Sequence, residues 1–225
     1  MKKVKVLLLF CFMFFIVGLS VAHARKSYYV GLSGGVQSQR YEFKIRDNPN
    51  NRTHNVDATR LAPVAGVFGG WRMRFPSKFV LGLEGGATFF PSEIKRKINN
   101  STTTYKVGSN FFGAEGSILF GYFLIQMNTL LYLKLGGEYR KVTVEVTSQG
   151  NGVNLKEAKS GFGFFPALGV EIPLMNQWFL AAEAKFAFYQ QMKFKSKDAA
   201  SSLVATVTPR FETFNMRLIY QMGPR

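Results

Sequence analysis

Cysteine and histidine are almost missing from this chain. The only cysteine, Cys11, and one of the two histidines, His23, fall within the first 24 residues, so that His54 is the only residue of either kind downstream. Residues 25–225 therefore hold no disulfide, no thiolate metal site, no thiol nucleophile and no cysteine to carry a lipid anchor. Hydrolysis of the Ser-His-acid kind, or by a histidine that orients water, needs a histidine beside its partners. His54 lies instead in a polar stretch with Asp47 and Asp57. No catalytic, cofactor-binding or metal-binding residue is assigned, and no enzyme activity is expected. Acidic residues are scarce as well, with 13 Asp and Glu against 29 Lys and Arg and a formal net charge of +16. Past the N-terminus no segment approaches the roughly 20 apolar residues of a membrane-spanning helix. Helical periodicity is absent too. Gly34-Gly35, Gly69-Gly70 and Gly85-Gly86 are not phosphate-binding loops, because no helix follows them.

The chain does have a distinctive N-terminus. Lys2, Lys3 and Lys5 precede an apolar run over 6–17, and Ala22-His23-Ala24 ends the segment. A charged end, a short apolar stretch and a small-x-small site predict a secretory signal peptide over 1–24 and one mature domain over 25–225. Cleavage would remove three lysines and no acid, lowering the charge from +16 to +13. Glycine (22 residues) and aromatics (15%) are plentiful while mean hydropathy is +0.01, which suits alternating strands better than a helical membrane protein.

The alternation is clearest over 164–189. Pro166, Leu168, Val170 and Ile172 share one face, opposite Ala167, Gly169 and Glu171. After a turn at 173–177, Trp178, Leu180, Ala182, Ala184, Phe186 and Phe188 share a face opposite Phe179, Ala181, Glu183, Lys185 and Tyr189. This is a hairpin with one apolar face and one small or charged face. An apolar residue, a small residue, any residue and Glu recur at Leu81–Glu84, Phe112–Glu115, Leu135–Glu138, Leu168–Glu171 and Leu180–Glu183, always with the Glu on the non-apolar face. Small neighbours leave long charged side chains room to cross a narrow interior. The stretch from Trp178 to Phe188 advances ten residues. At about 3.3 Å each and a tilt of about 40°, it rises roughly 25 Å, the height of a lipid-facing apolar band.

Eight strands are expected: 27–43, 59–74, 79–90, 107–123, 130–146, one ending at Ile172, 178–189 and 203–222. Four polar loops, 44–58, 91–106, 147–160 and 190–202, alternate with three short turns at 74–78, near 126–128 and at 173–177. This layout resembles the small eight-stranded outer-membrane barrels, a family that includes the outer-membrane protein A barrel, OmpX-like proteins and the opacity adhesins. The resemblance spans the mature chain but rests on no catalytic motif. It implies an all-β, antiparallel transmembrane barrel in the cell outer membrane, with extracellular loops, periplasmic turns and a structural, adhesin-like or porin-like role.

On this reading five acids, Glu84, Glu115, Glu138, Glu171 and Glu183, face five bases, Arg72, Lys134, Arg140, Lys185 and Arg217, in the lumen. A balanced set in an eight-stranded barrel reads as a salt-bridged plug, with a small channel as the alternative. The excess positive charge is expected mainly in the loops, at Arg52, Lys95, Arg96, Lys97, Lys193, Lys195 and Lys197, where it would meet lipopolysaccharide phosphates or acidic host glycans. The expected partners are these, outer-membrane lipid and, during biogenesis, the barrel-assembly machinery, with no nucleic acid. A lipocalin-like carrier would need an apolar interior, whereas here the charges lie inside. Two aromatic girdles are expected. One holds Tyr28, Trp71, Phe75, Phe79, Tyr122, Phe123, Trp178 and Tyr220 near the turns. The other holds Tyr41, Phe43, Phe89, Phe90, Phe111, Phe162, Phe164, Phe188 and Phe211 near the loops. Met73 is expected to face lipid, and a bulge or loop-end position is expected at Pro63 and Pro166. Family barrels commonly end on an aromatic residue read by the assembly machinery, whereas this sequence ends Gly223-Pro224-Arg225, with Tyr220 as the nearest aromatic.

Overall fold

Period-two alternation becomes a closed antiparallel ladder in the computed structural model, which describes residues 24–47, 52–90, 93–97, 103–148, 154–195 and 203–222. The strands are β1 (Arg25–Asp47), β2 (Arg52–Arg74), β3 (Phe79–Phe89), β4 (Glu93–Lys97), β5 (Thr103–Leu124), β6 (Thr129–Ser148), β7 (Asn154–Met175), β8 (Trp178–Tyr189), β9 (Met192–Lys195) and β10 (Leu203–Met222). Around the barrel the order is β1, β2, β3, β5, β6, β7, β8, β10, and β10 pairs back onto β1. Short β4 and β9 continue β3 and β8 outward, pairing with β5 and β10. The result is eight staves without a free edge, so most backbone donors and acceptors at membrane depth are satisfied within the wall.

The four expected loops are strand for much of their length. Lys44 pairs Asn55 and Asp47 pairs Arg52 in 44–58; Glu93 pairs Gly108 in 91–106. Thr147 pairs Asn154 in 147–160, and Met192 pairs Val207 beyond 190. Hairpins carried past the membrane have water on both faces, so their polar sequences show no alternation and look like loops. The three short turns stand as expected. Each contains one residue of positive φ: Lys78 at 69°, Asn128 at 49° and Asn176 at 41°. Asn tolerates this left-handed region better than other non-glycine residues.

The outward face is apolar: Leu32, Leu83, Leu168, Phe186 and Phe214 are all exposed on the isolated chain. Such a continuous belt belongs in lipid. Several expected girdle aromatics point the other way. Tyr41, Phe90 and Phe211 are essentially fully buried, and Phe123 packs against the inner cluster. All four share parity with inward residues, Tyr41 with Gln37, Phe90 with Glu84, Phe211 with Thr213 and Phe123 with Glu115. Parity, not ring chemistry, sets their face. Met73 is buried as well, flanked by its register partners Lys26 and Leu81. The side chains of Phe43 and Phe111 lie outside the described part.

Pro63 sits beyond the end of β3, whose last partner on β2 is Ala65, so its missing N–H breaks no rung on that side. Pro166 causes no bulge. The β7–β8 ladder skips from Phe164–Phe188 to Ala167–Lys185 with its register unchanged. The register shifts that do occur lie at Ser109/Gly113 and Pro173/Met175.

Inside, the turn-side half of the lumen holds an apolar cluster that alternation did not suggest: Tyr29, Phe68, Val80, Leu119, Leu130, Tyr132, Ala181 and Ile219. Glycine makes room for its rings. A Cβ at Gly169 would fall on the Tyr132 ring, and one at Gly70 would lie 2.6 Å from the Tyr29 hydroxyl. Gly169→Ala should therefore displace Tyr132 and cost about 1–3 kcal/mol through overpacking. Urea unfolding in micelles checks this, and Tyr132→Ala in the same chain should remove most of the added penalty.

Candidate functional site

Charged side chains fill the lumen in three tiers. At the turn-side tier, Arg72 Nη1 donates to both oxygens of Glu171, at 2.7 and 2.9 Å, and its Nη2 donates to Gln221 Oε1. The guanidinium also lies 5.3 Å from the Tyr29 ring and 5.4 Å from the Phe179 ring. Arg72 and Glu171 are 99 residues apart in sequence and meet across the barrel.

The middle tier sets two carboxylates against two cations. Glu84 accepts from Tyr29 Oη at 3.0 Å, Lys134 Nζ at 2.8 Å and Arg217 Nη2 at 2.7 Å. Glu183 accepts from Tyr132 Oη at 3.1 Å and Arg217 Nη1 at 2.7 Å, and pairs with Lys134 Nζ at 2.5 Å. Arg217 thus bridges both carboxylates with separate nitrogens while its guanidinium covers the Phe68 ring at 3.7 Å. Charge-assisted bonds of this kind are short and directional.

In the loop-side tier, Glu138 pairs with Arg140 and, at 3.0 Å, with Lys185, which reaches Glu115 at 2.6 Å. Arg140 is fully buried between Phe90 and Phe211, at 3.8 and 4.3 Å from their ring centres, and donates to Gln37 Oε1 at 3.0 Å. Gln37 in turn accepts from Gln39 and donates to Thr213. All ten charged residues placed inside by alternation lie inside. Nine are buried, and the side chain of Glu115 is 16% exposed.

Alternation did not single out the tyrosine hydroxyls, the glutamines or the rings over the cations, although their inward parity was readable. Each lumen carboxylate is held by at least one cation. Among the described residues no group of three or more His, Cys, Asp or Glu could hold a metal. The basic loop residues are less visible. Lys193 is exposed, and its carbonyl accepts from Lys159 Nζ. Lys95, Arg96, Lys97, Lys195 and Arg52 lie on paired backbone, but their side chains are outside the described part, as is that of His54. Lys197 is outside the described residues altogether. The expectation that the positive excess lies mainly in the loops needs amending, because the turn end carries Arg25, Lys26, Arg74 and Lys78, with Glu171 its one acid among the described residues.

A sequence model of the outer membrane protein beta-barrel domain matches residues 7–221. The chain belongs to that family. The closed wall, apolar outer belt and charged interior described above are what an outer-membrane barrel requires, and the cell outer membrane is where this one sits. Among solved structures, similarity extends to the attachment invasion locus protein Ail of Yersinia pestis in complex with the heparin analogue sucrose octasulfate. The identity is 11%, over 84% of this chain and 98% of that one, with a TM-score of 0.35. Neisserial surface protein A is similar at 11% identity, over 86% and 97% of the two chains, with a TM-score of 0.37. A major outer membrane protein of Thermus thermophilus is similar at 9% identity, over 83% and 99%, with a TM-score of 0.42. No curated protein matches this barrel.

Proposed function

We propose that this barrel is a surface protein with a structural or adhesin-like role, in which the lumen is a plug and the extended hairpins make the contacts. Residues 1–24 are removed as a signal peptide, the four long hairpins face outward from the cell, and the three short turns face the periplasm. The observation that carries the reading is the cancellation of charge inside: five acids meet five bases in closed ion-pair tiers, while the mature chain retains a net charge of +13. Part of the excess positive charge sits at the turn end, at Arg25, Lys26, Arg74 and Lys78, and the rest lies toward the loop side, where partners reach. At the loop-side ends of the strands, Arg40, Arg60, Lys141, Lys159, Lys193 and Arg210 outnumber Glu42, Glu157 and Glu212. Together with Lys95, Arg96, Lys97, Lys195 and Lys197 farther out, they suit phosphates of lipopolysaccharide or acidic host glycans. Among the described residues every lumen carboxylate is held by a cation, which suits a structural interior better than a catalytic one.

Such contacts weaken with salt, because the Debye length shrinks from about 10 Å at 0.1 M to about 3 Å at 1 M. Binding of barrel-bearing vesicles to heparin and to lipopolysaccharide should fall steeply between these limits. Gln at 95, 96, 97, 193, 195 and 197 should remove it while the barrel stays folded. Binding that is absent at low salt, or that survives both treatments, would leave a structural barrel without polyanion contacts.

A further inference from the structure

The lipid-facing wall is not evenly convex. A groove of about 1190 Å³ crosses six staves, from Phe75 and Ser77 in the β2–β3 turn to Phe214 on β10. One side of it is a single row of register partners handed from stave to stave: Leu81, Phe120, Leu133, Leu168, Ala184 and Phe214. The neighbouring row runs in the same way from Phe79 and Tyr122 to Ala182. Between the rows the floor is backbone, because Val80, Tyr132 and Glu183 turn into the lumen and Gly121 and Gly169 have no side chain. Ala182 and Ala184 keep the groove open on β8, between Leu168 on one side and Phe214 on the other.

The tilt of the staves makes these rows climb. Phe79 opens β3 at the turn-side rim, whereas Phe214 lies eight residues before Met222 at the turn-side end of β10. Five steps of about 4.8 Å from stave to stave, at a tilt of about 40°, lift a row by roughly 15 Å. That is half of the roughly 30 Å hydrocarbon core, the depth of one leaflet. A groove that starts at the headgroup level and ends near the bilayer midplane has the course of an acyl chain.

Charge at the rim end selects the headgroup. Lys78 sits between Ser77 and Phe79, which both line the groove, and among the described residues its ammonium has no hydrogen-bond or ion-pair partner. The Ser77 hydroxyl beside it is exposed. Lys26 and Arg74 stand on the same rim, and Glu171, the one acid described there, is taken by Arg72. Phe79 and Tyr122 meet edge to face at 5.3 Å where the groove begins, and such rings settle at the headgroup level. A basic rim at that level attracts anionic lipid. We infer that this groove binds one acidic glycerophospholipid, with an acyl chain between the two rows and the phosphate at Ser77 and Lys78.

Native mass spectrometry of the full barrel, released from detergent after titration with phosphatidylglycerol or with phosphatidylcholine of the same chains, tests this. One phosphatidylglycerol per barrel should be retained, with an affinity about fivefold above that of phosphatidylcholine, the scale of one lysine at an anionic surface. Lys78→Gln should remove that preference, Lys78→Arg should keep it, and Lys141→Gln at the loop end should leave it unchanged. Ala182→Trp with Ala184→Trp fills the groove with outward rings and should abolish the saturable retention, whereas Leu32→Trp elsewhere on the belt should not. Glycerol 3-phosphate, which has the headgroup chemistry without a chain, should not compete. Gel mobility of unheated samples reports whether each variant is folded. Equal retention of the two lipids, retention indifferent to the paired tryptophans, or competition by glycerol 3-phosphate overturns the assignment. So does a two-barrel species that excludes lipid and is lost with the same tryptophans, which would make a second copy the occupant.

Discussion

Arg217→Met should destabilise the barrel by about 3–5 kcal/mol, the cost of removing one partner from a buried charge group. Arg217 holds Glu84 and Glu183 through separate nitrogens, both at 2.7 Å, and without it two buried carboxylates would face Lys134 alone. The measurement is the urea midpoint in micelles, followed by the mobility difference between heated and unheated samples. Adding Glu183→Gln removes the stranded charge and should return part of the loss. Adding Glu171→Gln instead should impose its own cost, because that carboxylate belongs to the separate pair with Arg72. Groups in one network couple, whereas groups without shared partners add. Equal effects of the two second substitutions would show that the tiers are not energetically distinct.

No steady conductance should appear when the purified barrel is inserted into planar bilayers. An eight-stranded wall encloses a space that side chains can fill. Here three ion-paired tiers and an apolar cluster fill it, with Arg140 wedged between Phe90 and Phe211. Serine at all ten lumen charges removes acids and bases in equal number and leaves no unpaired ion. That variant should turn the silent barrel into one with discrete current steps. A reproducible open pore in the unmodified protein would favour small-channel transport over the proposed surface role.

Strand number and faces were largely readable because alternation is a local property. The Glu motif ending at Glu84, Glu115, Glu138, Glu171 and Glu183 marks the inward face of five staves, and Asn128 and Asn176 mark two of the three turns. Where ring chemistry was allowed to override alternation, at Tyr41, Phe90, Phe123 and Phe211, the expected face was wrong. Strand length was unreadable where hairpins leave the membrane, since water on both sides removes the contrast between faces. This is why Asp47 opposite Arg52 reads as loop in sequence and as ladder in the fold.

Alternating strands, with apolar rows for lipid and acids and bases in equal number for the interior, were legible in the order of residues alone. Each of these properties lies within one strand and its neighbours along the chain. Which charges meet depends on how the barrel closes. Glu84 finds Lys134 and Arg217, respectively 50 and 133 residues away, because closure of β10 onto β1 and the stagger of the staves bring their inward faces to one level. The same closure gathers Arg25, Arg72 and Arg74 around the turn-side mouth. Depth in the lumen depends on the register of all eight staves together, which no single stretch of the chain encodes.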